Sequence, residues 1–362
     1  MARVVVGSYE QTVSGFSLQD AKEGETPKEG KEVAMKAIFK TDAHMGAVAC
    51  ISCSASGRLV ATGSSDETIR LFDVVQLRDY SALYGHEGAV SCVEFYKDSH
   101  MLSGAGDGRI IVWETSKWSK LATLAAHKGG VSSISIHPSG RVALSVGKDG
   151  YLKLWNLMTC TMAHRIKVRE AASIIEWSPD GSRYAVVFGT LCRSYDMNGD
   201  LLAELKLSSK ILSMRFLSST TLAFGCDNGV VTIANAITGS KIMKLEGHKK
   251  RVRGLDVIPD GSEGTGRIIT GSSDGDIHIW DLESGELLGQ SSGHGRITCL
   301  VACMEGAPEP AAKTKKKKKR KLPVQARNGK KKSVSIQEEK NEVREIADVI
   351  KRKKKSRKKK RK

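Results

Sequence analysis

The chain of 362 residues carries a net charge of +18, and 40% of its residues are hydrophobic but only 5% aromatic. Residues 305–362 hold 25 of the 58 Lys and Arg residues and 7 of the 40 Asp and Glu residues, which leaves 33 of each in the preceding part. These values exclude a uniformly basic globule and predict a neutral domain, residues 1–304, followed by a cationic tail, residues 305–362. No run of about 18 apolar residues occurs, which excludes a membrane-spanning helix.

The N-terminus and the cysteines indicate an intracellular, reducing environment. The chain reaches Gly7 and Ser8 too early for a signal peptide, and its eight cysteines are scattered. Cys50 and Cys53 have the spacing of half a zinc site, but no second pair with suitable spacing follows. We interpret both as small apolar strand residues and expect no metal, catalytic residue or other cofactor.

Alternating apolar and polar residues predict short strands along the whole neutral part. The first copy offers only three strands, Arg3 to Gly7, Thr12 to Leu18 and Val33 to Phe39. A complete unit of four strands follows Gly85 and His86, with the Asp107-Gly108 dipeptide as its central tight turn. Its predicted strands are residues 90–95, 101–104, 109–113 and 121–124.

The unit repeats with a period near forty residues. The slot for the turn acid recurs seven times with gaps of 56, 41, 42, 40, 38 and 47 residues. The slots are Glu10, Asp66, Asp107, Asp149, Gly189, Asp227 and Asp274. A period of this length predicts a seven-bladed all-β propeller. The last copy has only an opening strand, residues 297–303, and we expect that strand to complete the first blade and close the ring.

Four copies share a set of side chains that we call a tetrad: a His before the blade, a hydroxyl, the turn Asp and an aromatic residue. The sets are His44, Thr62, Asp66, Phe72; His86, Ser103, Asp107, Trp113; His127, Ser145, Asp149, Trp155; and His248, Thr270, Asp274, Trp280. A carboxylate under a sheet needs hydrogen-bond donors, which the His, hydroxyl and indole groups can supply. The same residue types form hydrolase triads, but a set that repeats with the fold indicates structural support rather than one active site.

The repeat motifs resemble those of the WD-repeat β-propeller family. Trp280-Asp281 ends one blade, with the variants Phe72-Asp73, Trp155-Asn156 and Trp113-Glu114 in others. Further stretches, among them Gly7-Ser-Tyr-Glu-Gln11, Ala126-His-Lys-Gly129 and Arg296-Ile-Thr-Cys-Leu300, resemble the p21-activated-kinase-interacting-protein-like WD-repeat family. That resemblance implies a role in large (60S) ribosomal-subunit assembly in the nucleolus, and in animal members restraint of p21-activated kinases.

The tail contains blocks of like charge that are typical of disordered segments. The blocks suit both nuclear import receptors and RNA phosphates, whereas the lack of aromatic residues disfavours base readout. The basic residues are Lys315, Lys316, Lys317, Lys318, Lys319, Arg320, Lys321, Lys330, Lys331, Lys332, Lys351, Arg352, Lys353, Lys354, Lys355, Arg357, Lys358, Lys359, Lys360, Arg361 and Lys362. A solubilising or import-only tail is the alternative.

A short helix is predicted within the tail at residues 335–352. Ser335 and Glu338 have capping-box spacing, and a narrow apolar stripe follows. The stripe consists of Val343, Ile346, Val349 and Ile350. Because one isolated helix of this length is marginal in water, we expect it to fold on a protein or ribonucleoprotein partner.

One basic loop of the propeller is a candidate contact with a protein partner or ribosomal RNA. It contains Lys249, Lys250, Arg251 and Arg253, and Lys128 and Lys148 could extend it. Ordinary solvated charge is the competing interpretation. Trp118 lies outside the tetrads and is interpreted as a packing residue rather than a partner anchor.

The repeats predict a non-enzymatic scaffold, and the family resemblance implies that it acts in large-subunit maturation and pre-rRNA processing in the nucleus and nucleolus. The propeller is expected to bind proteins of the pre-60S particle, and the tail to bind pre-rRNA and a nuclear import receptor. The main alternative is a signalling adaptor that binds and inhibits a p21-activated kinase. A third is a substrate receptor for a ubiquitin ligase. No membrane or small-molecule substrate is expected.

Overall fold

The computed structural model describes residues 2–20, 33–168, 170–259 and 266–304. These residues form 28 strands in seven four-stranded antiparallel sheets, with no helix among them. The predicted all-β, seven-bladed propeller is therefore confirmed. The tail and its candidate helix lie outside the described residues, as do residues 21–32.

Each sheet is one blade, numbered 1 to 7 along the chain. Blades 1 to 3 contain β1 (Ala2–Ser8), β2 (Thr12–Asp20), β3 (Val33–Asp42); β4 (Val48–Cys53), β5 (Leu59–Ser64), β6 (Ile69–Asp73), β7 (Arg78–Leu83); and β8 (Val90–Tyr96), β9 (His100–Ala105), β10 (Arg109–Glu114), β11 (Ser119–Ala125). Blades 4 and 5 contain β12 (Val131–Ile136), β13 (Val142–Gly147), β14 (Tyr151–Asn156), β15 (Thr161–Lys167); and β16 (Ile174–Trp177), β17 (Arg183–Phe188), β18 (Leu191–Asp196), β19 (Leu201–Lys206). Blades 6 and 7 contain β20 (Ile211–Phe216), β21 (Thr221–Cys226), β22 (Val231–Asn235), β23 (Lys241–Leu245); and β24 (Val252–Pro259), β25 (Gly266–Ser272), β26 (Ile277–Asp281), β27 (Leu287–Ser291). The last strand, β28 (Ile297–Met304), belongs to blade 1.

The ring closes as the sequence predicts. β28 pairs antiparallel with β1, from Ala2 opposite Met304 to Ser8 opposite Ile297, and gives blade 1 the order β28-β1-β2-β3. This pairing satisfies the edge of β1, which would otherwise expose unpaired backbone groups.

Apolar packing between neighbouring blades forms the core. The second strand of a blade is buried on both faces, as in β13, where all six residues are buried. One cluster joins Leu102 and Ile110 of blade 3 to Ile134 and Trp155 of blade 4. The blades therefore stabilise one another through apolar area removed from water.

A belt of polar side chains links the innermost strands around the central channel. Ser52 Oγ accepts a hydrogen bond from Phe95 N (3.3 Å), and Ser135 Oγ accepts one from Trp177 N (3.0 Å). Asp256 Oδ2 accepts in the same way from the backbone N of residue 302 in β28 (2.8 Å). Each bond ties one blade to the next at equivalent positions of the repeat.

The turn between the third and fourth strands differs between two groups of blades. In blades 2 to 4 its left-handed position holds bulky residues, Leu77, Trp118 and Cys160, with φ of 51°, 54° and 53°. In blades 5 to 7 glycines occupy this turn: Gly199, Gly239 and Gly285. A left-handed φ is unfavourable for a bulky side chain. Trp118 offsets this strain by packing edge-to-face against the rings of Tyr80 (6.4 Å) and Phe95 (6.3 Å).

Candidate binding face

The loops before the innermost strands and the turns between the second and third strands meet on one side of the ring, which we call the tetrad face. In blade 3, Trp113 Nε1 donates to Ser103 Oγ (2.8 Å). The same Ser103 oxygen lies 2.8 Å from His86 Nε2, and His86 Nδ1 lies 3.1 Å from Asp107 Oδ2. The structure therefore brings these four predicted side chains into one hydrogen-bonded chain.

Blade 4 repeats this geometry. The indole-to-hydroxyl, hydroxyl-to-His and His-to-carboxylate distances are 2.9, 2.8 and 2.8 Å for Trp155, Ser145, His127 and Asp149. The backbone N of Lys128 also donates to Asp149 (3.1 Å). The carboxylate thus fixes the loop in which its own His lies.

The direction of the hydrogen bonds follows from which groups can donate. An indole only donates, so the Ser145 oxygen accepts from Trp155 and gives its single hydrogen to His127 Nε2. His127 Nδ1 then donates to Asp149.

Burial lowers the pKa of His127, so the ring remains neutral. Burial alone would raise the pKa of Asp149, but hydrogen bonds from His127 and Lys128 leave it below its usual value. The indole reaches the hydroxyl and not the carboxylate.

Blade 2 forms a tetrad without an indole donor. His44 Nε2 lies 2.8 Å from Thr62 Oγ1, and His44 Nδ1 lies 3.0 Å from Asp66 Oδ2. Thr68 donates to the other Asp66 oxygen (2.7 Å) and supplies an additional donor. The Phe72 ring instead stacks against another Phe ring, with 6.5 Å between centroids.

Blade 7 has all four residues but lacks one bond. Trp280 Nε1 donates to Thr270 Oγ1 (2.9 Å), which lies 2.7 Å from His248 Nε2. However, His248 Nδ1 and Asp274 Oδ2 are buried without a hydrogen-bond partner among the described residues. The ring of His278 stacks on His248 with 3.9 Å between centroids and an interplanar angle of 11°. Burial lowers the pKa of His248 to about 3, so this ring is neutral as well.

Blades 5 and 6 have no tetrad and use apolar packing in its place. In blade 5 the ring of Tyr184 lies 5.2 Å from both Trp177 and Tyr195. In blade 6, Phe224 occupies the position in the second strand that holds the tetrad hydroxyl in the blades with a tetrad. It is fully buried in a cluster that spans both blades.

The predicted basic loop lies on the tetrad face in blades 6 and 7. Lys249, Lys250, Arg251 and Arg253 are all exposed. Arg251 Nε pairs with Asp227 Oδ1 of blade 6 at 3.3 Å. Burial, followed by the charges of Arg251 and Arg296, lowers the pKa of Arg253. The loop is therefore part of a larger basic cluster.

Arg296 and Tyr9 were missed in the sequence. The Arg296 guanidinium lies 4.9 Å from the centre of the exposed Tyr9 ring. Its backbone N donates to Glu10 Oε2 (2.9 Å), and Tyr9 N donates to the Arg296 carbonyl (2.8 Å). The closure prediction contained the necessary signal, because it places the loop before β28 beside the turn at Glu10.

Lys128 and Lys148 do not extend this basic cluster. Both are exposed on the tetrad face in blade 4, three blades away from blade 7. The loops of blades 1 to 3 present exposed Met45, Glu67 and Glu87. Positive charge on this face is thus concentrated at blades 6, 7 and 1.

The central channel carries a second charged group that the sequence did not reveal. Arg215 pairs with Glu176 Oε1 (3.3 Å) and Asp256 Oδ1 (3.2 Å). Glu94 accepts a hydrogen bond from Ile136 N (3.0 Å). Burial raises the pKa of Glu94 to about 8 and that of Glu176 to about 7. These groups connect blades rather than form an open site.

The described residues contain no group of three or more His, Cys, Asp or Glu side chains that could hold a metal ion. Burial raises the pKa of Cys50 well above its usual value, which is unfavourable for metal binding and nucleophilic chemistry. In the same part of the chain, no helix is long and apolar enough to cross a membrane.

Comparison with known proteins places the chain in a family. The family model of the WD domain, G-beta repeat, matches residues 35–73, 78–114, 118–156 and 239–281. The chain is 36% identical over 315 residues to the p21-activated protein kinase-interacting protein 1-like protein of Danio rerio, covering 85% of this chain and 82% of that protein. The chain belongs to the p21-activated protein kinase-interacting protein 1-like family of WD-repeat proteins.

More distant relatives match over the same extent. Human p21-activated protein kinase-interacting protein 1 is 30% identical over 323 residues, or 85% of this chain and 80% of the human protein. Protein MAK11 of Saccharomyces cerevisiae is 26% identical over 349 residues, or 84% and 83% of the two chains. The resemblance noted in the sequence is therefore confirmed across the propeller.

Proposed function

We propose that the protein is a non-catalytic scaffold in maturation of the large ribosomal subunit, acting in the nucleus and nucleolus. The propeller offers a rigid ring with one basic sector on its tetrad face, and this observation carries the proposal. The tail adds 25 basic residues, which suit the phosphates of pre-rRNA and a nuclear import receptor. Membership of the p21-activated protein kinase-interacting protein 1-like family, whose resemblance implies large-subunit assembly, supports the ribosomal role.

Sedimentation of the tagged protein from a nuclear extract tests this proposal. We expect it to co-migrate with large-subunit precursors and with pre-rRNA, and we expect its depletion to impair pre-rRNA processing. Migration only in light fractions with a kinase, and normal processing after depletion, would contradict it.

A matched variant separates nuclear import from RNA binding by the tail. The variant replaces the block from Lys315 to Lys321 with serines and carries an added import signal. If the block serves import alone, the rescued variant co-sediments like the parent. If it also contacts RNA, the variant enters the nucleus but co-sediments more weakly.

A signalling role is the second candidate, because several relatives are named for interaction with p21-activated protein kinase. In that case the tetrad face would bind a kinase. Direct binding of the purified protein to a p21-activated kinase, with lower kinase activity, would support it.

A further inference from the structure

The charged groups at blades 6, 7 and 1 form a continuous strip, which we call the basic arc. It consists of Lys210, Lys249, Lys250, Arg251, Arg253 and Arg296, all exposed. Asp227 N donates to the Lys210 carbonyl (2.9 Å) and its side chain pairs with Arg251 (3.3 Å), which places these residues next to one another. The innermost strands β24 and β28 are neighbours, so Arg253 and Arg296 lie beside each other although 43 residues separate them.

We propose that the basic arc, with the exposed ring of Tyr9 at its end, binds the phosphate backbone of single-stranded RNA. This inference deepens the proposed function, which left the basic loop between a protein partner and ribosomal RNA, and rests on it for the identity of the RNA.

The arc has more positive charge than its own neighbours neutralise. Asp227 pairs with Arg251, and Glu10 accepts from the Arg296 backbone. No ion pair is found for Arg253, Lys249 or Lys250 within the described ranges. The pKa of Arg253 is lowered by burial and by the two neighbouring guanidinium groups, so a bound phosphate would relieve this repulsion. Guanidinium groups match phosphate oxygens because they donate in a planar fork.

The shape of the arc favours a polymer over a single phosphorylated side chain. Its six basic residues spread over three blades, which suits a row of phosphates. Tyr9 is 56% exposed, and Arg296 lies against its ring. An exposed aromatic ring beside a cationic track is the arrangement that stacks an unpaired base.

Salt dependence in the full-length protein tests the arc separately from the tail. The probe is a labelled oligouridylate, and its affinity is measured between about 50 and 200 mM salt. Each lost phosphate contact reduces the slope of log K against log salt by about 0.7 for single strands. We therefore expect R253A/R296A to reduce the slope by about 1.4 relative to the parent protein.

Two matched variants control for charge and for folding. K128A/K148A removes the same charge from the same face outside the arc, and we expect the slope of the parent protein. R253K/R296K keeps the charge, and we expect it to keep the slope while losing part of the affinity, because a lysine cannot form the planar fork.

Tyr9 gives an independent readout. Tyr9→Ala should weaken RNA binding roughly 5- to 150-fold, the range for loss of one stacked base, while Tyr9→Phe should bind like the parent. Tyr9 lies on an exposed turn, and thermal melting would verify that both variants fold.

The outcomes separate this inference from the proposed function. Equal slopes for R253A/R296A and K128A/K148A would overturn the arc proposal, even if the protein sediments with ribosomal precursors. A reduced slope without such sedimentation would support RNA binding by the arc and contradict the ribosomal role. If R253A/R296A loses binding to a phosphopeptide that the parent protein binds, but keeps its RNA binding, the arc is assigned to a protein partner and the proposal is overturned.

Discussion

Blades 3 and 4 and blades 5 and 6 have the same four-stranded topology but hold their loops in different ways. In blades 3 and 4 a hydrogen-bonded tetrad connects each loop to its sheet, with Asp107 or Asp149 at its end. Blade 5 has Gly189 in the acid slot. In blade 6 the predicted slot residue, Asp227, is displaced by one position: Asn228 lies there and accepts from Val230 N (3.3 Å), while Asp227 is exposed and pairs with Arg251. The comparison shows that a blade can form without a tetrad: in blades 5 and 6 the loops keep backbone bonds, from Leu207 N to the Thr190 carbonyl and from Ile211 N to the Gly189 carbonyl (both 2.9 Å).

The largest effect is expected from removing a tetrad acid. Asp149→Ala leaves the buried donors of His127 and Lys128 without their acceptor, and we expect the free energy of unfolding to fall by about 2–5 kcal/mol. Asp227→Ala, in the corresponding turn of blade 6, removes only an exposed ion pair and should change this free energy by less than about 1 kcal/mol. Urea denaturation measures both. Equal stability of D149A and the parent protein would refute the role of the tetrad.

The belt of polar side chains around the central channel runs through both groups of blades. It includes Glu94, which gives a pH-dependent test. Burial raises the pKa of Glu94 to about 8. The folded protein therefore holds a proton that the unfolded chain releases near pH 4.3, so the contribution of Glu94 to stability decreases as pH rises from about 5 to about 8. The buried histidines, whose pKa values are lowered, contribute in the opposite sense, so the test compares a variant with the parent protein. We expect Glu94→Gln to remove the Glu94 contribution from this part of the melting-temperature profile. The exposed Glu67→Gln should keep the parent profile. The same pH profile for E94Q and the parent protein would contradict the assignment.

Hydrogen exchange sharpens the comparison at the level of single loops. The loops of blades 5 and 6, residues 189–190 and 207–210, lack the tetrad bonds that hold residues 107–108 and 127–130. We expect their opening free energy to be lower by about 1–2 kcal/mol, which corresponds to one or two hydrogen bonds. Exchange followed by mass spectrometry measures this difference. Equal protection in all four loops would show that the tetrad adds nothing to the stability of the loops.

Blade 7 provides the smallest expected effect. Among the described residues Asp274 Oδ2 has no partner, and Oδ1 accepts from Asp276 N (3.2 Å) rather than from His248. We expect Asp274→Ala to lower the free energy of unfolding by about 1 kcal/mol, the value of one hydrogen bond. A loss as large as that of D149A would mean that the His–Asp bond forms in solution.

The sequence was sufficient to predict the strands, the blade count and the closure, because each depends on local alternation and on a repeated spacing. The predicted strand 90–95 is β8 (Val90–Tyr96), and the predicted closing strand 297–303 is β28 (Ile297–Met304). The tetrad residues of blades 2 to 4 also meet, because each set lies within one repeat.

Contacts between repeats were not predictable from one chain. Arg253 and Arg296 belong to different blades, and only the ring geometry places them together. The missing bond in blade 7 depends on His278, which in the sequence is an ordinary alternating strand residue. The left-handed Trp118 has no sequence signal either, since the turn that favours Gly in blades 5 to 7 accepts it here through packing with Tyr80 and Phe95.

The pairing of β1 with β28 also sets an order of events during biosynthesis. β1 is translated first, but the strand that covers its edge is made only after the other six blades. Until then one edge of β1, the strand that contains Val4, Val5 and Val6, has no partner. An open apolar edge of this kind is a site for aggregation or for a chaperone. Complete folding of the ring must therefore wait until residue 304 has left the ribosome.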